Sequence, residues 1–188
     1  MTRHSELTVK IDTREKNTED LARLFEAHDD VACVQVEELV VGDIIVDDQV
    51  VFERKRPKDF IGSIQDNRLD DQIDRMYDAF GPEHSYVNVL GKMQDFSQLY
   101  HTNMPEEAVL GFIGSMAARW QIVPFFVEFV DREVELITRV SRKHEEKSDR
   151  IVRSPENTPS RKDDDYYMKM ILQLEGIGRE TAKKIRKN

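Results

Sequence analysis

Gly42-Asp43-Ile44-Ile45-Val46-Asp47-Asp48-Gln49-Val50-Val51-Phe52-Glu53-Arg54-Lys55-Arg56-Pro57-Lys58-Asp59 holds two apolar, β-branched runs around a polar triplet. That is the signature of two strands joined by a three-residue loop, Asp47-Asp48-Gln49. With Val46 opposite Val50, Asp43 falls opposite Glu53. Opposed residues of an antiparallel pair have Cβ atoms about 5 Å apart, and side chains return to the same face every second residue. Asp43, Glu53 and Lys55 therefore share one face. Carboxylates set so close repel each other; a divalent cation between them removes that cost, and hard oxygen ligands suit magnesium or manganese rather than zinc. A surface hairpin with scattered acids is the plain alternative. Against it, Ile45 and Val51 on one face and Ile44, Val46, Val50 and Phe52 on the other mark a covered inner strand pair, where a charge needs a reason.

Outward from the hairpin, Leu7, Val9 and Ile11 alternate with polar residues as a first strand, ending in Asp12-Thr13-Arg14-Glu15. Asn17 can cap a helix through His28 with the stripe Leu21, Leu24 and Phe25. A second strand lies around Cys33 to Val36, and Pro57 ends the fourth. Residues 58–64 and 67–80 read as helices; Arg68 and Gln72, four apart, lie on one face of the second. Tyr86, Val87 and Val89 form a strand reaching Gly91, a short helix lies near 95–100, and Pro105 starts a longer helix through Trp120. Residues 123–128 make a last strand, and Asp131 caps a helix to about Lys147. Strands alternating with such helices predict an α/β fold with a mixed β-sheet flanked by helices over residues 1–147. Residues 148–162 read as a linker and 163–188 as a small all-α helical hairpin. Trp120, Phe125, Phe126 and Phe129 read as core, and the His spacing suggests no zinc site.

The 188 residues suffice for one domain of ordinary size and a small appendage, and 39% hydrophobic content excludes wholesale disorder. The single cysteine, Cys33, excludes an intrachain disulfide framework and fits a reducing compartment. No apolar run approaches the ~20 residues of a membrane span, so no membrane is expected as a partner. The net charge of −9 argues against nucleic-acid binding until it is divided along the chain. Residues 1–138 hold 14 Lys and Arg against 28 Asp and Glu, whereas residues 139–188 hold 14 against 9. Polyanion affinity would thus reside in the last quarter, unless its charges are only a solvated helix end and linker.

Taken together, Asp12-Thr13-Arg14-Glu15, Gly42-Asp43, Glu53-Arg54-Lys55 with Asp59, and Asp66-Asn67-Arg68-Leu69 with Gln72 resemble, in order and spacing, the nuclease domain of the XPF and Mus-type structure-specific endonucleases. The resemblance spans roughly residues 7–147. It implies a restriction-endonuclease-like sheet in which Asp12, Asp43 and Glu53 are catalytic metal ligands for Mg2+ or Mn2+, with the Arg54 carbonyl as a further oxygen. Lys55 would contact the scissile phosphate or orient the attacking water. Arg14, Arg68 and Gln72 would hold the DNA backbone or brace the site. For Glu15 and Asp59 the same support stands beside plainer roles, a salt bridge and an N-cap at Phe60.

The carboxyl end adds Leu174-Glu175-Gly176-Ile177-Gly178-Arg179, then Ala182-Lys183-Lys184-Ile185, which resembles the first half of a helix-hairpin-helix domain. Gly176 and Gly178 lack Cβ atoms, so backbone N–H groups around Ile177 could reach phosphates, with Arg179, Lys183 and Lys184 beside them. Glycine as an ordinary helix terminator is the alternative. The family's second such motif does not follow in this sequence, leaving a helical pair with little core of its own.

By resemblance, the substrate is branched DNA, namely 3′ flaps, forks and splayed arms, cut in repair or replication-fork processing. The expected assembly is a homodimer, or a heterodimer with a degenerate subunit, alongside replication or repair proteins. The compartment would be the nucleoid-associated cytoplasm of a prokaryote or the nucleus of a eukaryote. The competing functions are a catalytically silent DNA-binding scaffold subunit and a junction-resolving nuclease.

Overall fold

The computed structural model describes residues 6–92 and 104–152. The short helix expected near 95–100, the linker beyond 152 and the helical hairpin with Gly176, Ile177, Gly178, Arg179, Lys183 and Lys184 lie outside the described residues. Contacts separate a compact unit, Met1–His144, from the remainder.

Six strands form one mixed sheet: β1 (Leu7–Asp12), β2 (Val31–Glu37), β3 (Ile44–Val46), β4 (Val50–Lys55), β5 (Ser85–Leu90) and β6 (Phe125–Val127), in the order β2-β1-β3-β4-β5-β6. The central pairs, β1 with β3 and β3 with β4, are antiparallel, and β1/β2, β4/β5 and β5/β6 are parallel. Each parallel pair needs a crossover. Helix α1 (Thr18–Glu26) supplies the first, α2 (Pro57–Gln65) and α3 (Arg68–Phe80) the second, and α4 (Glu106–Trp120) the third. Helix α5 (Val130–Val152) follows the last strand.

Both sheet faces are covered, as the hairpin's two apolar faces require. On one, Ile44 and Phe52 pack with Leu21 and Phe25 of α1 and Val134 and Ile137 of α5. On the other, Val87 and Val89 pack with Phe60, Leu69, Ile73, Met116 and Trp120, while Ile45 and Val51 meet Met76. The hairpin register is the expected one, Val46 with Val50 and Ile44 with Phe52. Its loop turns through Asp47 and Asp48, both left-handed at φ 52° and 54°. Asp47 also exchanges bonds with Thr8 of β1, its carboxylate accepting at 2.7 Å, which fixes the tip against the neighbouring strand.

Several boundaries differ from the sequence reading. Pro57 ends β4 and also opens α2, filling a first-turn position where its missing N–H costs nothing. Asp59 therefore sits inside the first turn rather than capping it. Asn17 precedes α1 in a left-handed conformation with no side-chain cap bond, and Leu24 of the expected stripe is partly exposed. The last strand keeps only three residues, since Pro124 offers no ladder donor, and α5 begins at Val130, before Asp131. Phe129, expected in the core, is 58% exposed. Among the described residues no helix is long and apolar enough to cross a membrane.

Candidate functional site

β1, β3 and β4 are neighbours in the sheet, and their ends carry Asp12, Asp43 and Glu53 side by side. The Asp12 N–H donates to the Asp43 carbonyl at 2.9 Å, and the Asp43 N–H to the Phe52 carbonyl at 2.9 Å, so the ladder runs straight through the site. Gly42 makes this entry into β3 feasible. Its φ is +73°, and a Cβ there would lie 2.3 Å from Val51 Cγ2 and 3.2 Å from the Phe52 carbonyl oxygen.

The three carboxylates have different surroundings. Asp12 is buried and accepts four N–H donors: the Arg14 backbone at 2.7 Å, Arg14 Nε at 2.9 Å, Arg14 Nη2 at 2.6 Å and the Leu39 backbone at 3.1 Å. Those bonds, led by the Arg14 side chain, hold its pKa below the usual carboxylate range. Asp43 accepts one backbone bond, from Arg54 at 2.7 Å, and burial pushes its pKa up. Glu53, only 3% exposed, accepts from Gln72 Nε2 at 2.6 Å and from Lys55 Nζ. Burial first, and the charge of Asp43 next, push Glu53 up to about 7.

Arg54 points to the opposite face, where it braces the strand. Its guanidinium binds Glu133 of α5 through Nε at 3.0 Å and Nη2 at 2.7 Å, and Glu15 through Nη1 at 2.8 Å. Glu15 thus takes its salt-bridge role. Asp59 does likewise, 3.5 Å from Lys16. Arg68 is exposed and pairs with Asp66 at 3.1 Å.

The acids look onto a cleft of about 220 Å³ lined by Arg14, Gly42, Asp43, Glu53, Gln72 and Arg75. It adjoins an open cleft of about 480 Å³ to which Arg14, Lys16, Lys55, Arg68 and Arg75 contribute. Asp12, Arg14, Asp43, Glu53, Lys55, Arg68 and Gln72 are thus brought together. Sequence reasoning missed Lys16, Arg75 and Glu133. Arg75 lies three residues beyond Gln72 and seven beyond Arg68, on the same helical face, so its signal was available. Glu133 interrupts the apolar stripe of Val130, Val134 and Ile137, and a buried acid there demands a cation.

The donor set bears on a metal ion. Asp43 and Glu53 are adjacent hard-oxygen donors whose pKa values burial raises, and they fit a divalent cation such as Mg2+ or Mn2+. Asp12 is saturated by its own donors, and among the described residues no three His, Cys, Asp or Glu side chains converge as a metal-holding group.

A family model described as the ERCC4 domain matches residues 11–128. The chain belongs to the ERCC4 domain family. The match takes in the whole acidic row and, apart from most of β1, the sheet that carries it. Over 96% of its length the chain is 26% identical to a Methanocaldococcus jannaschii protein described as "Putative ATP-dependent RNA helicase", and it spans 25% of that protein. The fold is that of XPF from Aeropyrum pernix, with a TM-score of 0.61 at 21% identity over 96% of this chain and 80% of that one. XPF from Aeropyrum pernix in complex with DNA matches over the same shares, with a TM-score of 0.55 at 22% identity. The described part of this ERCC4 domain protein is an XPF-like nuclease domain.

Proposed function

We propose that this ERCC4 domain protein is a metal-dependent, structure-specific DNA endonuclease. It would hydrolyse one phosphodiester near a junction of duplex and single-stranded DNA, on 3′ flaps, forks or splayed arms, as a homodimer in repair or fork processing. The observation that carries this reading is the adjacent pair of half-buried Asp43 and buried Glu53 at the head of a cleft lined with cations.

Asp43 and Glu53 would hold the divalent ion, with the Arg54 carbonyl as a further oxygen. When bound, Mg2+ or Mn2+ lowers the pKa of a ligated water and neutralises charge building on the phosphate. Gln72 fixes the Glu53 carboxylate by its 2.6 Å bond. Lys55, on Glu53 in the free protein, is positioned to move to the scissile phosphate and stabilise its negative charge. Arg14 keeps Asp12 ionised, and this fixed charge beside Asp43 favours cation binding. Arg14 and Arg75, at the lip of the cleft, would hold flanking phosphates without reading sequence.

The test is cleavage of labelled 3′-flap, splayed-arm, four-way and linear duplex DNA in magnesium, manganese or EDTA. Cutting of the flap and splayed-arm substrates is expected with either metal and not in EDTA, with a loss on the order of 100-fold or more in Asp43→Ala and in Lys55→Ala. Cutting in EDTA, or full activity in both variants, overturns the proposal. Preferred cutting of the four-way substrate points instead to a junction-resolving nuclease.

A further inference from the structure

Residues 1–138 are strongly acidic, with only 14 Lys and Arg, yet half of those cations lie along two neighbouring clefts. Arg14, Lys55, Arg68 and Arg75 line the active-site cleft, Arg56 and Lys58 line a second of about 680 Å³, and Lys16 and Asp59 line both. The second cleft lies outside the acidic row and has no part in the chemistry above. Its two carboxylates are engaged, Asp59 with Lys16 at 3.5 Å and Glu128 with Lys92 at 2.8 Å. Arg56 and Lys58 are exposed and make no ion pair with a described residue. Pro57 and Leu90 form its apolar floor. The chain leaving β5 packs closely on that floor: a Cβ on Gly91 would lie 2.4 Å from Pro57 Cγ.

We propose that the cleft between Arg56, Lys58 and Lys16 binds the sugar–phosphate backbone of an unpaired DNA strand, the arm that continues from the scissile phosphate held by Lys55. The identity of this ligand rests on the nuclease reading. Lys16 and Asp59 line both clefts, so a strand leaving Lys55 can run past Lys16 to Arg56 and Lys58. Two exposed cations beside an apolar floor suit phosphates with an exposed sugar or base face beneath them. A duplex carries its phosphates on the outside and keeps its bases stacked within, so it has no such face to lay on Pro57 and Leu90. The cleft thereby favours substrates with an unpaired arm over linear duplex.

The test is direct binding by the full chain in EDTA, so that nothing is cut. Fluorescence anisotropy is followed on a labelled splayed-arm DNA and on a linear duplex, from 50 to 200 mM salt. The double variant Arg56→Ala/Lys58→Ala should leave two single-strand phosphates without a cation. Its salt slope on the splayed arm should fall by about 1.4, so its deficit against wild type narrows roughly sevenfold across that range. Duplex affinity should not move, and the charge-retaining Arg56→Lys/Lys58→Arg pair should restore the slope. An unchanged slope on the splayed arm, or an equal loss on the duplex, overturns the proposal. The two readings can fail separately. Cutting by wild type in magnesium without an arm-specific defect in the variant removes only the strand site; an arm-specific defect in a protein that cuts nothing removes only the nuclease reading.

Discussion

Glu53 and Asp12 stand in one row and behave oppositely, because one is buried beside another carboxylate and the other is saturated with N–H donors. Asp12 stays ionised under its Arg14 clamp. Glu53 is buried next to Asp43, and its pKa rises from 4.5 to about 7. The folded protein therefore holds a proton on Glu53 that the unfolded chain releases above about pH 4.5. This contribution to stability is complete below pH 4.5 and is lost as pH rises through about 7, where the buried carboxyl must ionise. Glu53→Gln cannot ionise and keeps an amide oxygen for Gln72 and Lys55. At pH 8, in EDTA, the variant should be more stable than wild type by on the order of 2 kcal/mol, with the gap closing by pH 5. Urea unfolding midpoints across that range check it; parallel pH profiles for the two proteins would refute the assignment.

Strand β4 shows how one element serves two purposes through its period of two. Glu53 and Lys55 face the cleft, and Arg54 between them faces α5, tied to Glu133 and Glu15. Side chains of Arg54 and Glu133 are 9% and 1% exposed, so removing Arg54 strands the Glu133 charge in the interior, whereas removing Glu133 leaves Arg54 with Glu15 alone. Arg54→Met should destabilise by about 3–5 kcal/mol and Glu133→Leu by less, and the double variant by less than the sum. Additive losses in a denaturant double-mutant cycle would show that the pair is uncoupled. This brace also marks the limit of what the sequence discloses. The hairpin was legible because its alternation and loop length fix a register, and the register alone puts Asp43 against Glu53. Asp12 at the end of β1 was legible as a candidate, but its saturation was not, since the Arg14 clamp depends on how the chain turns after the strand. Arg54 read as a site residue because it stands between Glu53 and Lys55. Its partner Glu133 lies 79 residues away on α5, and only the packing of α5 on the sheet brings them together. Phe129 was misplaced for a related reason: α5 starts at Val130, two residues earlier than a cap at Asp131 implies, and leaves the ring at an exposed helix entrance.

Across the whole chain, cutting and holding DNA make opposite electrostatic demands. The acids that would hold a cation repel DNA, and residues 1–138 as a whole carry twice as many acids as bases. The cations along the two clefts offset this only locally. Residues 139–188 reverse the balance, with 14 Lys and Arg against 9 acids, so on the nuclease reading they should carry most of the sequence-independent affinity. Within them, Arg179, Lys183 and Lys184 lie within a few residues of Gly176-Ile177-Gly178 in the sequence, so this stretch should neutralise more than its share of phosphates. Deleting residues 163–188 should then weaken binding to splayed-arm DNA and lower the salt slope by somewhat under 1 for each phosphate no longer neutralised. Cutting should persist at low salt, because Asp43, Glu53, Lys55 and their braces all lie within Met1–His144. The deletion and the Arg56/Lys58 variant must also differ in kind. Removal of the carboxyl-terminal segment should weaken duplex and splayed-arm binding alike, since its lysines and arginines would neutralise phosphate rather than read strand pairing. Equal affinity and slope for the truncated and full chains across the titration would move the DNA-holding role back into the acidic domain.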